Sequence, residues 1–439
     1  ITITALDHYG NTMDNRNGAS SFPASNNVNI QDAGGTNTSY PNVVQLPYNG
    51  VGYHDMTCYK AFAGNGNSLT ASFSDAEGSH VGVSSAFTVD PNVFARLIPI
   101  VPSMNINGGG VYSGDDPSGG FVGYSGSPGN QTAGGNVSLI VHACDAYGNV
   151  TAGATDYVYI DSTDAYAPNP YPVPLNFLSG QAQFTGSQAF TFHTSGSASL
   201  TAYDVVPVIE GVTRTAASSD ALANASVLDA YWVTDGVTAY KEGVDWTLSS
   251  DAIEWLGVDA PAENDVYSVY YVYRNPAGIQ DGSTPNMSVN AAAAYGLVTL
   301  APGQLLLEGS GNTNMSSGIG GVTIGGWYSG VTPSQPLGGV QNSFGADPAI
   351  SGAAFPVTVQ ATDRFGNRVS LSDSFEVRTT NESDPLATPN VSAPITGTLS
   401  AGLAWVQAQL YTLGQLTIYP YDVTNSTLNH NQESRSDIQ

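Results

Sequence analysis

The residues with most scope for chemistry are carboxylates, and three of them recur in one setting. Asp7, Asp145 and Asp363 each open an Asp-x-aromatic-Gly-Asn pentapeptide: Asp7-His8-Tyr9-Gly10-Asn11, Asp145-Ala146-Tyr147-Gly148-Asn149 and Asp363-Arg364-Phe365-Gly366-Asn367. Calcium is the cation such oxygens would suit, and Asp115-Asp116 in a Gly-rich stretch is a second candidate. One turn, however, offers few of the six to eight oxygens calcium takes. The competing role is local: an Asp carboxylate accepts hydrogen bonds from the N–H groups of its own turn. The aromatic two residues on would then pack on the neighbouring strand. A glycosidase needs two carboxylates flanking one bond, and no pair is singled out. His8, His54, His80, His142, His193 and His430 are scattered, with no His-x-x-x-His pair. There is no Gly-x-Ser-x-Gly elbow, P-loop or helical metal-ligand spacing. The expectation is a non-enzymatic chain without a cofactor, calcium being the one ion its turns admit.

The elements that carry these pentapeptides are strands. Each copy follows an alternating run, Ile1-Thr2-Ile3-Thr4-Ala5, Val137-Ser138-Leu139-Ile140-Val141-His142-Ala143 and Phe355-Pro356-Val357-Thr358-Val359-Gln360-Ala361. Period-two alternation marks a strand with one buried face. The Gly-Asn pairs Gly10-Asn11, Gly148-Asn149 and Gly366-Asn367 supply the positive φ of a tight turn. A Leu-Thr strand ending in Asp follows each copy, with the same spacing from Asp145 to Asp204 as from Asp363 to Asp422. Two copies share a lead-in, Phe94-Ala95-Arg96-Leu97-Ile98-Pro99 and Tyr295-Gly296-Leu297-Val298-Thr299-Leu300. One supersecondary unit is therefore repeated along the chain. The first copy lacks a lead-in, so a strand from a neighbouring domain or molecule is expected to complete it near Ile1 and Ala5. Residues 427–439 are aligned with 212–224, and the chain is read as a segment of a longer precursor.

Composition agrees with short strands. Charged residues are 10% and hydrophobic residues 41%, with 50 Gly and 25 Pro to punctuate the runs. One short helix is expected at 286–295, through Ala291-Ala292-Ala293-Ala294. The net charge of −26, with Lys60 and Lys241 the two lysines, argues against nucleic acid and anionic membranes. No apolar run is long enough for a membrane span. Cys58 and Cys144 fall in different repeats and are expected to be free thiols, Cys144 on the polar-alternating face. Asn-x-Ser/Thr sequons are frequent, and Asn136 and Asn149, beside the second turn, are the expected sites if glycans are present.

The interval between the second and third pentapeptides is longer than that between the first and second and needs an extra module. Residues 225–280 hold four Tyr/Trp-rich segments around Trp232, Trp246, Trp255 and Tyr267 to Tyr273. Two readings stand: a sugar-stacking platform on Trp232, Trp246 and Trp255, or the core of a small domain. Alternation of Tyr267, Val269 and Tyr271 favours the core.

The strand-turn-strand pattern with its Pro- and Gly-rich lead-in resembles bacterial immunoglobulin-like repeats of large surface proteins, the invasin and intimin group among them. The insert resembles small β-modules of phage structural and bacterial surface proteins. The resemblance implies an all-β chain of tandem immunoglobulin-like sandwiches, at 1–90, 91–224 and 281–439, with a small antiparallel domain at 225–280. It implies a structural segment of an extracellular microbial filament, fibre or surface layer that self-associates. The alternatives are an adhesin stalk or tip binding glycans, and a non-catalytic part of a secreted hydrolase.

Overall fold

The computed structural model describes the chain except residues 7–11, 13–26, 33–37, 40–42, 47–49, 76–77, 108–122, 168–173, 216, 241, 244, 257–259, 303–307, 310–349, 380–383, 385, 391, 415, 425–427, 429–435 and 439. Nearly all regular structure is β, and no α-helix occurs among the described residues.

The third repeat shows the unit most plainly. One sheet pairs the lead-in strand Gly296–Leu300 with the corner strand Ala354–Thr362, and that strand with Leu403–Gln409, all antiparallel. The facing sheet runs Ile395–Thr398, Ser374–Thr379, Leu416–Asp422, Ser436–Ile438. Val357, Val359 and Ala361 from one sheet meet Phe375, Val377 and Ile418 from the other. Alternation puts these residues on the inner faces, and each large apolar side chain so buried contributes about 1.5–3 kcal/mol before entropy is counted.

The second repeat has the same layout. Arg96–Ile100 pairs with Leu139–Cys144, which pairs with Gln181–Phe184, and Leu175–Asn176, Tyr157–Ser162 and Leu200–Thr213 form the facing sheet. In the first repeat Thr2–Thr4 pairs with Val51–Tyr53, opposite Val43–Gln45, Asn27–Asp32, Leu69–Asp75 and Gly78–Val83. A groove of about 340 Å³ runs beside Thr2–Thr4, lined by Ile1, Ile3, Ile30, Leu69, Ala71 and Val83.

The insert grows out of the second sandwich instead of hanging between two domains. Leu200–Thr213 continues past the sandwich and pairs along its far half with Val266–Arg274, which also pairs with Val227–Thr234. The expected boundary at 224/225 thus falls within one continuous seven-stranded sheet. The counterpart of Ser436–Ile438 is Gly282–Ser283, which returns to Thr201 and Ala202 after the insert, so residues 212–224 are not its match.

Two further expectations are corrected. Where a helix was expected at 286–295, Met287–Asn290 is a strand pairing with Gly196–Ala198 and Gln131–Thr132. Met287 and Val289 fill the second core, so burial overrides the helical propensity of the alanine run and the third unit begins near residue 291. Cys144, at the end of the corner strand, is fully buried, and burial beside Asp145 pushes its thiol up to about 12. Neither Cys58 nor Cys144 is in a disulfide.

Candidate functional site: the repeat junctions

The pentapeptide folds the same way in the second and third repeats. Gly148 and Gly366 adopt φ of 76° and 83°, a region open to glycine at no steric cost. The Asp145 Oδ1 accepts hydrogen bonds from the backbone N–H of Tyr147 (2.8 Å) and Asn149 (2.9 Å), and Oδ2 from the Asn149 side-chain amide (2.9 Å). Asp363 repeats the pattern with Phe365 N (2.8 Å), Asn367 N (3.0 Å) and Asn367 Nδ2 (2.8 Å). The carboxylate also reaches the lead-in: Asn92 N donates to Asp145 Oδ2 and Ala292 N to Asp363 Oδ2. In the first repeat, Asp7, Gly10 and Asn11 lie outside the described residues. Their flanks, Leu6 and Thr12, bridge as Cys144 bridges Val150 and Thr362 bridges Arg368.

Each corner then grips the preceding repeat through its Asn. The Asn149 Nδ2 donates to the Tyr59 carbonyl (2.7 Å), and its Oδ1 accepts from Ala61 N (2.8 Å). The Asn367 Nδ2 donates to the His193 carbonyl (2.6 Å), and its Oδ1 accepts from Ser195 N (2.9 Å). A carboxamide carries a donor and an acceptor side by side, as a peptide group does, so each Asn pairs with residues 59–61 or 193–195 as an extra strand residue would. The aromatic joins the grip. Tyr147 packs on Tyr59 at 5.0 Å between ring centroids, and Phe365 stacks on His193 at 4.3 Å. The aromatic therefore packs on the preceding repeat and not on a neighbouring strand of its own. Phe365 belongs to the core of the second sandwich, seated over Gly134, where a Cβ would lie 2.6 Å from the ring.

The acceptor loop at the second junction is itself held. The Asp164 carboxylate accepts from His193 N, Thr194 N and Thr194 Oγ1. Burial lowers the His193 pKa; Asp164 and Asp363 nearby oppose that shift and Arg364 adds to it.

The calcium expectation does not fit Asp145 or Asp363. Four N–H donors point at each carboxylate, filling lone pairs that a cation would need. Among the described residues no cluster of three or more metal-ligating groups occurs, and Asp115 and Asp116 lie outside them. As a glycan site Asn149 is corrected: it is 5% exposed and its amide nitrogen is committed twice. Asn136 is exposed.

In the insert, Trp246 and Trp255 are core residues, 1% and 8% exposed. The indole of Trp246 donates to the Tyr240 carbonyl, while Trp255 Nε1 and Tyr267 OH both donate to the buried Asp220. They cannot stack on a sugar. Trp232 is 50% exposed, in a cross-strand row with Tyr270 and Ile209.

Sequence reasoning missed the acceptor loops. Their signal is faint: an aromatic or His, one residue, then a small residue, shortly before the Leu-Thr strand.

Comparisons with known proteins add little to this geometry. A family model described as a domain of unknown function, DUF4815, matches residues 180–309, spanning the end of the second sandwich, the insert and the start of the third unit. No curated protein matches the chain. Among solved structures, similarity is found to FdeC, an Escherichia coli adhesin, at 13% identity over 80% of this chain and 100% of that one, with a TM-score of 0.18. Trypsin-activated alpha-2-macroglobulin from Escherichia coli matches at 9% identity over 100% of this chain and 33% of that one, TM-score 0.18. PorU from Porphyromonas gingivalis matches at 8% identity over 82% and 34%, TM-score 0.14. At such scores the functional reading rests on the chain's own junctions.

Proposed function

We propose that this chain is a non-catalytic structural segment of an extracellular microbial filament, fibre or surface layer, in which clasped junctions hold the repeats in fixed relation. One observation carries the reading: two junctions use the same six side-chain hydrogen bonds and the same aromatic contact. A flexible tether needs neither, whereas a part that transmits force or sets a lattice spacing needs both. The acidic surface suits this role, since like charge limits uncontrolled lateral aggregation. The groove beside Thr2–Thr4 supports strand addition from a neighbour as a further assembly contact. Electron microscopy of the native material tests the proposal. Filaments or lattices with density for serial sandwiches are expected; isolated molecules on every grid would contradict it.

A second reading keeps one observation. The exposed Ile209 and Trp232, with the half-buried Tyr270 between them, form an apolar cross-strand row on the insert, and ring faces of this kind stack on sugar CH groups. Glycan-array binding by the full chain that is lost in Trp232→Ala would favour an adhesin role.

A further inference from the structure

We infer that Asp204, Asp156 and Asn275 form a calcium site at the root of the insert, where a strand of the second sandwich runs on into the added module. The site is separate from the corner turns and does not depend on the filament role proposed above.

The Asp204 carboxylate is the anomaly that points to it. Leu200, Ala202 and Asp204 alternate onto the inner face of the sandwich, and Asp204 is 4% exposed. Both of its carboxylate oxygens are buried, and neither has a hydrogen-bond partner. The Asn275 amide and the Val205 N–H face it without closing a bond. Among the described residues no other carboxylate has both oxygens in that state. A buried charge left unpaired is strongly disfavoured. Arg274, one strand away, is already paired with Asp281 at 2.6 Å, so the counter-charge has to come from outside the chain.

The third repeat shows how the site arose. Asp422 and Asp373 stand at the same positions, Phe375 pairing with Asp422 as Val158 pairs with Asp204. There Asp422 Oδ1 accepts from Thr424 N at 2.9 Å and Asp373 Oδ1 from Ser374 N at 2.8 Å. The residue matching Thr424 is Val206, which is opposite Tyr273 in the sheet because the strand continues into the insert. The insert has thus drawn away the local donor and brought Asn275 in its place.

Register gathers the three side chains on one face. Val158 is opposite Asp204 in one neighbouring strand, and Asn275 is opposite it on the other side, donating its backbone N–H to the Asp204 carbonyl at 3.0 Å. Asp156, two residues before Val158, takes the diagonal position, within about 7–8 Å. The Asn275 Nδ2 reaches Asp156 Oδ1 at 3.4 Å, so the residues on either side of Asp204 meet. That bond is long, as is the one Asn275 Oδ1 accepts from Ala277 N at 3.2 Å. A half-turn of the carboxamide therefore presents an oxygen at little cost. Two carboxylates fall short of a cage of three acidic groups, but calcium completes its shell of about six to eight oxygens with carboxamides, carbonyls and water. The net charge of −26 favours a cation there. Bound calcium would tie together the crossover that follows the Asp145 corner, the sandwich strand and the exit from the insert.

Calorimetric titration of calcium chloride into the full chain, first stripped with a chelator, tests this. A saturable step of one ion per chain is expected, with a Kd of roughly 0.1–1 mM, the range of extracellular calcium modules. Asp204→Asn and Asp156→Asn should each weaken that step by more than the roughly tenfold that even outer-shell partners of a metal cost. Asp422→Asn should leave it unchanged. Calcium should also raise the melting temperature of the parent chain and of neither site variant. Asp156 is half-buried, so its variant reads the site even if Asp204→Asn fails to fold. No saturable step up to about 10 mM calcium, or a step that the site variants leave intact, overturns the inference.

Discussion

The two internal junctions share a hydrogen-bond pattern atom for atom, yet they differ in how much apolar surface closes over it. At the second, Phe365 is 6% exposed and is part of the preceding core, and Asp164 pins the loop that receives it. At the first, Tyr147 is only half-buried, tilted against Tyr59. The polar clasp fixes which residues meet, because a carboxamide satisfies one N–H and one C=O in a single register. The aromatic sets how firmly they hold, since apolar burial scales with area.

The largest test of that contrast is Phe365→Ala against Tyr147→Ala. The first should cost about 3–5 kcal/mol in chemical denaturation, as for a truncated core Phe, and the second about 1–2. Equal losses would mean that the aromatic is incidental. Next come Asn367→Ala and Asn149→Ala, each expected to cost about 2–3 kcal/mol because buried partners are left unsatisfied. Similar values at both junctions would support a polar term independent of the ring. Asp164→Asn should cost about 1–2 kcal/mol and couple to Asn367→Ala in a double-mutant cycle, but not to Asn149→Ala.

The smallest effect separates the junctions by pH. The His193 pKa is depressed by burial in the folded chain, against Asp164 and Asp363 and together with Arg364. A depressed folded pKa gives a stabilisation present above the ordinary His value of about 6.5 and lost as pH falls below it. The melting-temperature loss caused by Asn367→Ala should therefore shrink between pH 7.5 and pH 5, the junction being already weakened. That caused by Asn149→Ala, whose loop has Tyr59 in the His193 position, should stay constant. Parallel behaviour of the two would remove His193 from the account.

Much of the fold could be read from the residues. Period-two runs such as Val357, Val359 and Ala361 mark inner faces directly, and alternation of Tyr267, Val269 and Tyr271 places the insert's aromatics in a core. The local half of the site was equally legible, because an Asp facing the N–H groups two and four residues on is a short-range property. What escaped was everything set at long range. Asn149 reads as a surface sequon until the preceding repeat covers it. Cys144 looks polar-facing until the strand's last residues turn into the core. The alanine run at 291–294 suggests a helix, while Met287 and Val289 just before it are claimed by the second sandwich. Only a faint local pattern announces residues 59–61 or 193–195, which offer a backbone C=O and N–H beside one ring.

Hydrogen exchange of two backbone amides, Ala61 and Ser195, probes the clasps most directly. Both are predicted to be protected to the level of the sandwich strands in the native chain. Asn149→Ala should release Ala61 alone, and Asn367→Ala should release Ser195 alone. Exchange of both at loop rates in the unmodified protein would show that the repeats are merely tethered.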